Sequence, residues 1–149
     1  MKTLITEEVN INIEWVGAIS VEEYKAGKEF IPMIKEWWWL RSPGFYSSDA
    51  ACVFGDGSVC AVGFIVFCED IAVRPALRIG NLKALNLRPG DKVEIAGITW
   101  TIISEDLALA DSVIAHTAFN HDHTVGNEYV GSDLESYIIR WWRYKVRNH

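Results

Sequence analysis

No C-x-x-C pair, Gly-rich phosphate loop, G-x-S-x-G elbow or H-E-x-x-H run occurs in the 149 residues, so the common short signatures of zinc, redox, nucleotide and hydrolase chemistry are missing. Basic residues are scarce, 14 against 20 acidic for a net charge of −6, which argues against generic nucleic-acid binding, where phosphate contacts need a lysine and arginine surplus. The one basic group, Arg140, Arg143, Lys145 and Arg147, is expected at a helix C-terminus, where cations are favoured in any case. Long apolar runs are also lacking. The longest, Val59 to Cys68, is about half what a membrane span needs, and the N-terminus carries two early acidic residues instead of a signal-type apolar region. Only three cysteines occur, Cys52, Cys60 and Cys68, and three cannot all pair with one another. Free thiols without a membrane segment or secretory signal lead to the expectation of a soluble cytoplasmic protein.

What is abundant is apolar and aromatic: half the chain is hydrophobic, and seven residues are tryptophan. That suffices for one domain with a core of its own. Val9 to Ile13 alternates and predicts a half-buried strand. Ser20-Val21-Glu22-Glu23 is a capping box opening a short helix to about Lys28. Ala50 to Phe54 and Val59 to Phe67 flank Asp56-Gly57, a hairpin signal. A two-residue turn there would set Cys52 against Ala61, and a three-residue loop would set it against Cys60. A strand over Ile71 to Ile79 is interrupted by Pro75. Lys92 to Ile95 and Thr99 to Ile103 form a second hairpin across Ala96-Gly97, Leu107 to Ala110 is a short strand or buried segment, and Asn120 to Gly131 is polar and expected to be an exposed, mobile loop. Ser132 to Glu135 is a second capping box, starting a helix to about Val146 with Leu134, Ile138, Trp141 and Trp142 in one stripe. The expected class is α+β: a single domain, mainly antiparallel sheet with two helices, its two halves covering residues 17–80 and 81–147.

W-W-L-R-S-P-G (Trp38 to Gly44), A-A-x-V (Ala50 to Val53), D-G-S-V (Asp56 to Val59) and V-R-P-A-L (Val73 to Leu77) together resemble a widespread uncharacterised domain of Firmicutes and their phages. Ile19 to Tyr24 looks like that family's lead-in, and Leu87 to Lys92, Gly97 to Ile103 and the Ser132 helix are similar to its remaining block. In most of the family that block precedes W-W-L-R-S-P. Here it follows, which looks like a circular permutation, and the close termini that permutation needs would also permit strand exchange between subunits. A looser resemblance to C-type-lectin-like domains of the formylglycine-generating type implies that architecture without its chemistry, since the E-P-N and W-N-D sugar motifs and the closely placed cysteine pair are missing.

Strand alternation puts Trp37 and Trp39 on one face and Trp38 and Leu40 on the other, so both faces are apolar and the run is expected to be core. Arg41 and Arg74 each end an apolar segment. They are expected as framework ion pairs with Asp49, Asp56 or Asp70, or, facing a pocket, as clamps on a carboxylate or phosphate. His116, His121 and His123 are the one histidine cluster, a weak metal candidate with no visible group to orient the rings. The cysteines lack a neighbouring base and are expected to be buried and inert.

These readings converge on a non-enzymatic binding module of bacterial or phage origin, without a cofactor, whose partner is a protein or a small molecule. Loops 42–49 and 120–131 would carry specificity, with Arg41, Phe45, Tyr46, Asp49, Arg74, Tyr129, Trp141 and Trp142 as candidate contacts. The alternatives are a phage inhibitor or sponge of a host defence factor, a metal-dependent enzyme using the histidines, and a structural domain that assembles with itself into a homo-oligomer.

Overall fold

The structure is a computed structural model and describes residues 3–5 and 10–148. Among them lie eleven strands and two α-helices: β1 (Thr3–Ile5), β2 (Ile13–Gly17), α1 (Val21–Gly27), β3 (Trp38–Pro43), β4 (Asp49–Val53), β5 (Val59–Ile65), β6 (Ala72–Val73), β7 (Ala76–Ile79), β8 (Lys92–Ile95), β9 (Ile98–Ile102), β10 (Leu107–Ala110), β11 (Ala115–His116) and α2 (Asp133–Arg147). They form a six-stranded sheet in the order β1-β8-β9-β10-β7-β2 and a five-stranded sheet in the order β11-β6-β3-β4-β5. β1 runs parallel to β8 and β3 to β6, and the other pairings are antiparallel. The chain is thus one small α+β domain with mostly antiparallel sheets.

Local chemistry explains most element ends. Ser20 accepts from the Glu23 amide while Glu23 accepts from the Ser20 amide, so both bonds of the first capping box form. The second box is half made: Ser132 accepts from the Glu135 amide, but the Glu135 carboxylate reaches back one residue further, to the Gly131 amide. Ala96 and Gly97 both have positive φ, as the two-residue β8–β9 turn requires. The β4–β5 turn takes the three-residue form. The Phe54 amide donates to the Ser58 carbonyl, Gly57 has φ of 87°, and Cys52 faces Cys60.

Two expectations change. The strand expected over Val9 to Ile13 begins only at Ile13 and runs to Gly17; Val9 lies outside the described residues. The Asn10 carbonyl and the Asn12 amide bond the Asn81 side chain, and the Asn12 carbonyl accepts from the Gly80 amide (2.8 Å). The Ile71 to Ile79 segment is two strands in different sheets, β6 in one and β7 in the other, because the chain crosses over at Arg74-Pro75.

Period-two alternation then fills the core. Trp38 and Leu40 of β3 join Leu107 and Leu109 of β10 and Tyr24 of α1 between the sheets. Trp39, Ala50 and Cys52 face the other way, onto Phe119 and the α2 residues Leu134 and Ile138. On the outer face of the six-stranded sheet, Trp100 packs with Leu77, Ile79 and Val93, and α2 covers this group with Trp141 and Trp142. The tryptophan run is therefore core for Trp38 and Trp39. Trp37 sits at its border, 39% exposed, edge-on to Phe54 and Phe64. The buried indoles keep hydrogen-bond partners: Trp39 donates to the Thr117 carbonyl (2.8 Å) and Trp100 to that of Ile95 (3.1 Å).

Candidate functional site

Apart from Trp141 and Trp142, the candidate contacts separate into three places. Arg74 lies at the crossover, 1% exposed, its guanidinium 5.0 Å from the Trp38 ring. Nε donates to the Ala110 carbonyl (2.7 Å), and Nη2 to those of Pro32 (2.7 Å) and Asp111 (3.3 Å). Burial pushes its pKa down to about 10, against the pull of the Asp111 carboxylate. Its partners are thus carbonyls, together with Asp111, in place of the aspartates expected from sequence. Trp141 and Trp142, expected on a partner surface, are half-buried against Trp100.

The second place is the flank of β5. Loops 42–49 and 120–131 meet there: the Asn127 amide donates to the carbonyls of Tyr46 (3.1 Å) and Asp49 (2.9 Å). The 120–131 loop is exposed at its tip, as expected, but fastened at its ends. Buried Asn120 donates to the Gly126 carbonyl and accepts from the Asp133 amide, and the hydroxyl of Tyr129, also buried, accepts from the Ala18 amide. Desolvation pushes the Tyr129 phenol up to about 12, which keeps it neutral. Phe45 (79% exposed) and Tyr46 (59%) stand edge to face, 5.0 Å apart, beside a strand that exposes Val62 (60%) and Ile65. Beyond it, exposed Phe67 meets the ring of His123 at 5.5 Å. β5 ends its sheet, pairs on its outer side with no described strand and carries no charged residue.

The third place is a cavity of about 280 Å³ lined by Trp15, Arg41, Arg78, Tyr129, Val130 and Glu135. The sequence reading singled out Arg41 and Tyr129 here and missed Trp15 and Arg78. Arg41 is held by Glu23 and by the Ala18 carbonyl (2.9 Å); Arg78 by Glu23 (3.1 Å) and Asp106 (2.5 Å). Both guanidiniums lie 5.5 Å from the Trp15 ring centroid. Burial opposes ionisation of Glu23, but hydrogen bonds from Arg41, the Ser20 amide and Arg78 bring its pKa below the ordinary value.

The histidines are dispersed. His116 pairs with Glu36, His121 donates through Nδ1 to the Asp133 carboxylate (2.8 Å) at the start of α2, and His123 packs on Phe67. Among the described residues, no group of three or more His, Cys, Asp or Glu is placed to hold a metal. Cys52 is buried, its pKa raised to about 12 by desolvation and by neighbouring Cys60 and Cys68. Among the described residues, no helix is long and apolar enough to cross a membrane. No family model, curated protein or solved structure matches the chain.

Proposed function

We propose that the chain is a non-enzymatic interaction module that recognises a protein partner along β5, an extended partner segment adding a strand to the five-stranded sheet. The observation carrying this reading is the β5 edge itself. Soluble proteins blunt edge strands with lysine, proline or a covering element. Val59 to Ile65 carries no lysine or proline; the 42–49 loop meets it at one point, where the Phe45 amide donates to the Val62 carbonyl (2.7 Å), and the exposed Val62 and Ile65 adjoin the Phe45-Tyr46 pair. Strand addition would satisfy the edge backbone groups that remain beside the Phe45–Val62 bond, and the flanking aromatics would supply rigid anchors at low entropic cost. On this reading the scaffold is C-type-lectin-like, with loops 42–49 and 120–131 supplying the side chains that choose the partner.

The test is differential capture from a lysate of the source cells, with native mass spectrometry of the complexes. A partner retained by the native chain and by Met33→Lys, but lost with Val62→Lys and Ile65→Lys, supports the reading. Met33 is the control because it is exposed and lies outside β5. Capture unaffected by both β5 lysines would sink it. A multimer carrying nothing else, dissociated by the same lysines, would replace it with self-assembly.

A further inference from the structure

Fixed arginines beside a half-buried indole serve a different purpose from a strand edge. The Trp15 cavity shares no residue with β5 and is built in a way that framework ion pairs do not require. Trp15 and Gly17 point to the same face of β2, and a Cβ at Gly17 would lie 2.2 Å from Cζ2 of the indole, so the ring is laid flat along the strand by the glycine. One carboxylate, Glu23, bonds both guanidiniums and fixes their separation. Arg41 meets Glu23 and the Ala18 carbonyl through Nη1 alone. Its Nε and Nη2 donate to no described residue, and they form the parallel two-donor edge that matches carboxylate and phosphate oxygens. Arg78 uses both Nη atoms on Glu23 and Asp106, leaving Nε. The Tyr129 hydroxyl, still able to donate after accepting from Ala18, closes the wall.

We infer that this cavity binds a small anion carried on a planar ring: a carboxylate or phosphate oxygen pair on the Nε–Nη2 edge of Arg41, with the ring against Trp15. Glu135, the carboxylate on the same wall, disfavours a bare anion and narrows the choice to ligands whose ring contact offsets it.

The probes are benzoate and phenyl phosphate, with acetate and inorganic phosphate as their ringless counterparts. The readout is the indole N–H signal of Trp15 in a proton–nitrogen NMR spectrum, assigned by its loss in Trp15→Phe. Saturable movement with either ringed probe is the expected result, and the tighter of the two assigns carboxylate or phosphate. Arg41→Lys, which keeps the charge and the Glu23 contact but loses the two-donor edge, should weaken binding about tenfold. Glu135→Gln should tighten it. No saturable movement with either ringed probe, or an unchanged affinity in Arg41→Lys, overturns the site. Equal binding of the ringless anions overturns the role of Trp15. None of these outcomes depends on β5, so failure here and failure of the strand-addition reading are separate results.

Discussion

Arg74 and Arg41 look alike in sequence, each a lone cation closing an apolar strand, yet the fold gives them opposite surroundings. Arg74 is sealed at the point where the chain leaves one sheet for the other, its Nε and Nη2 donating to three carbonyls from two distant segments. Arg41 is 28% exposed at its side chain, bonded by one nitrogen and free along its best edge. A buried guanidinium that meets carbonyls is a tie between segments, whereas a half-exposed one held in place by a carboxylate is pre-organised for something else. Strand-end arginines therefore divide by which donors remain, and the environment of those donors is a tertiary property.

Removing Arg74 gives the largest expected effect. Arg74→Met fills similar space but strands the carbonyls of Ala110, Pro32 and Asp111 with no donor in a dry site, which should lower unfolding free energy by about 3–5 kcal/mol. Urea denaturation checks it. A loss below about 1 kcal/mol would mean that water reaches the crossover and that the contrast with Arg41 is false. Arg74→Lys should recover only part of the loss, since an ammonium cannot follow the guanidinium fork to carbonyls on separate segments.

Arg41→Met comes next. Its pair with Glu23 is partly solvated and Arg78 continues to neutralise that carboxylate, so the expected cost is about 1 kcal/mol, measured in the same denaturation series. A cost equal to that of Arg74→Met would make Arg41 a structural tie and remove the reason for treating its free edge as a binding element.

Why neither environment could be read in full from sequence follows from how far each signal travels. The capping box at Ser20, the Ala96-Gly97 turn and the alternation of Trp38 with Trp39 are local, set by dihedrals and by the period of a strand. The parity of the β4–β5 loop was legible only as a choice of two, because Asp-Gly suits either a two-residue turn or, with Gly57 left-handed, the three-residue form found. The crossover at Arg74-Pro75 was not legible. Pro75 signals an interruption, but nothing within Val73 to Ala76 says that the flanking strands belong to different sheets. The cavity was half legible. Arg41 stood out as a cation ending an apolar segment and Tyr129 as an aromatic in a loop expected to carry specificity. Trp15 and Arg78 looked like ordinary strand residues, and the one available signal was a glycine two residues after a tryptophan, where the ring needs an empty neighbour. Asn120, Asn127 and Tyr129 fasten a loop whose composition alone indicated mobility, because side-chain ties to backbone carbonyls and amides elsewhere leave no periodic trace.

The smallest expected effect lies in Glu23, which serves Arg41 and Arg78 but touches nothing at Arg74. Its folded pKa is below the unfolded value of 4.5, so its stabilising contribution is present above about pH 4.5 and is lost as pH falls through the lower folded value. Glu23→Gln removes that titration while keeping an acceptor oxygen for the arginines. The native chain should therefore exceed the variant in stability at neutral pH, and the gap should close as the pH falls below about 4.5 and through the depressed folded pKa. The other depressed carboxylates, Asp56, Asp122 and Asp133, titrate in both proteins and cancel in the difference. Urea denaturation of both proteins across that range reads it directly. A gap independent of pH would show that Glu23 acts by packing or by its cap on Ser20 and not by its charge. In that case the two guanidiniums of the cavity are positioned by Trp15 and the Ala18 carbonyl, and an anion would meet them without competing against a carboxylate already in place.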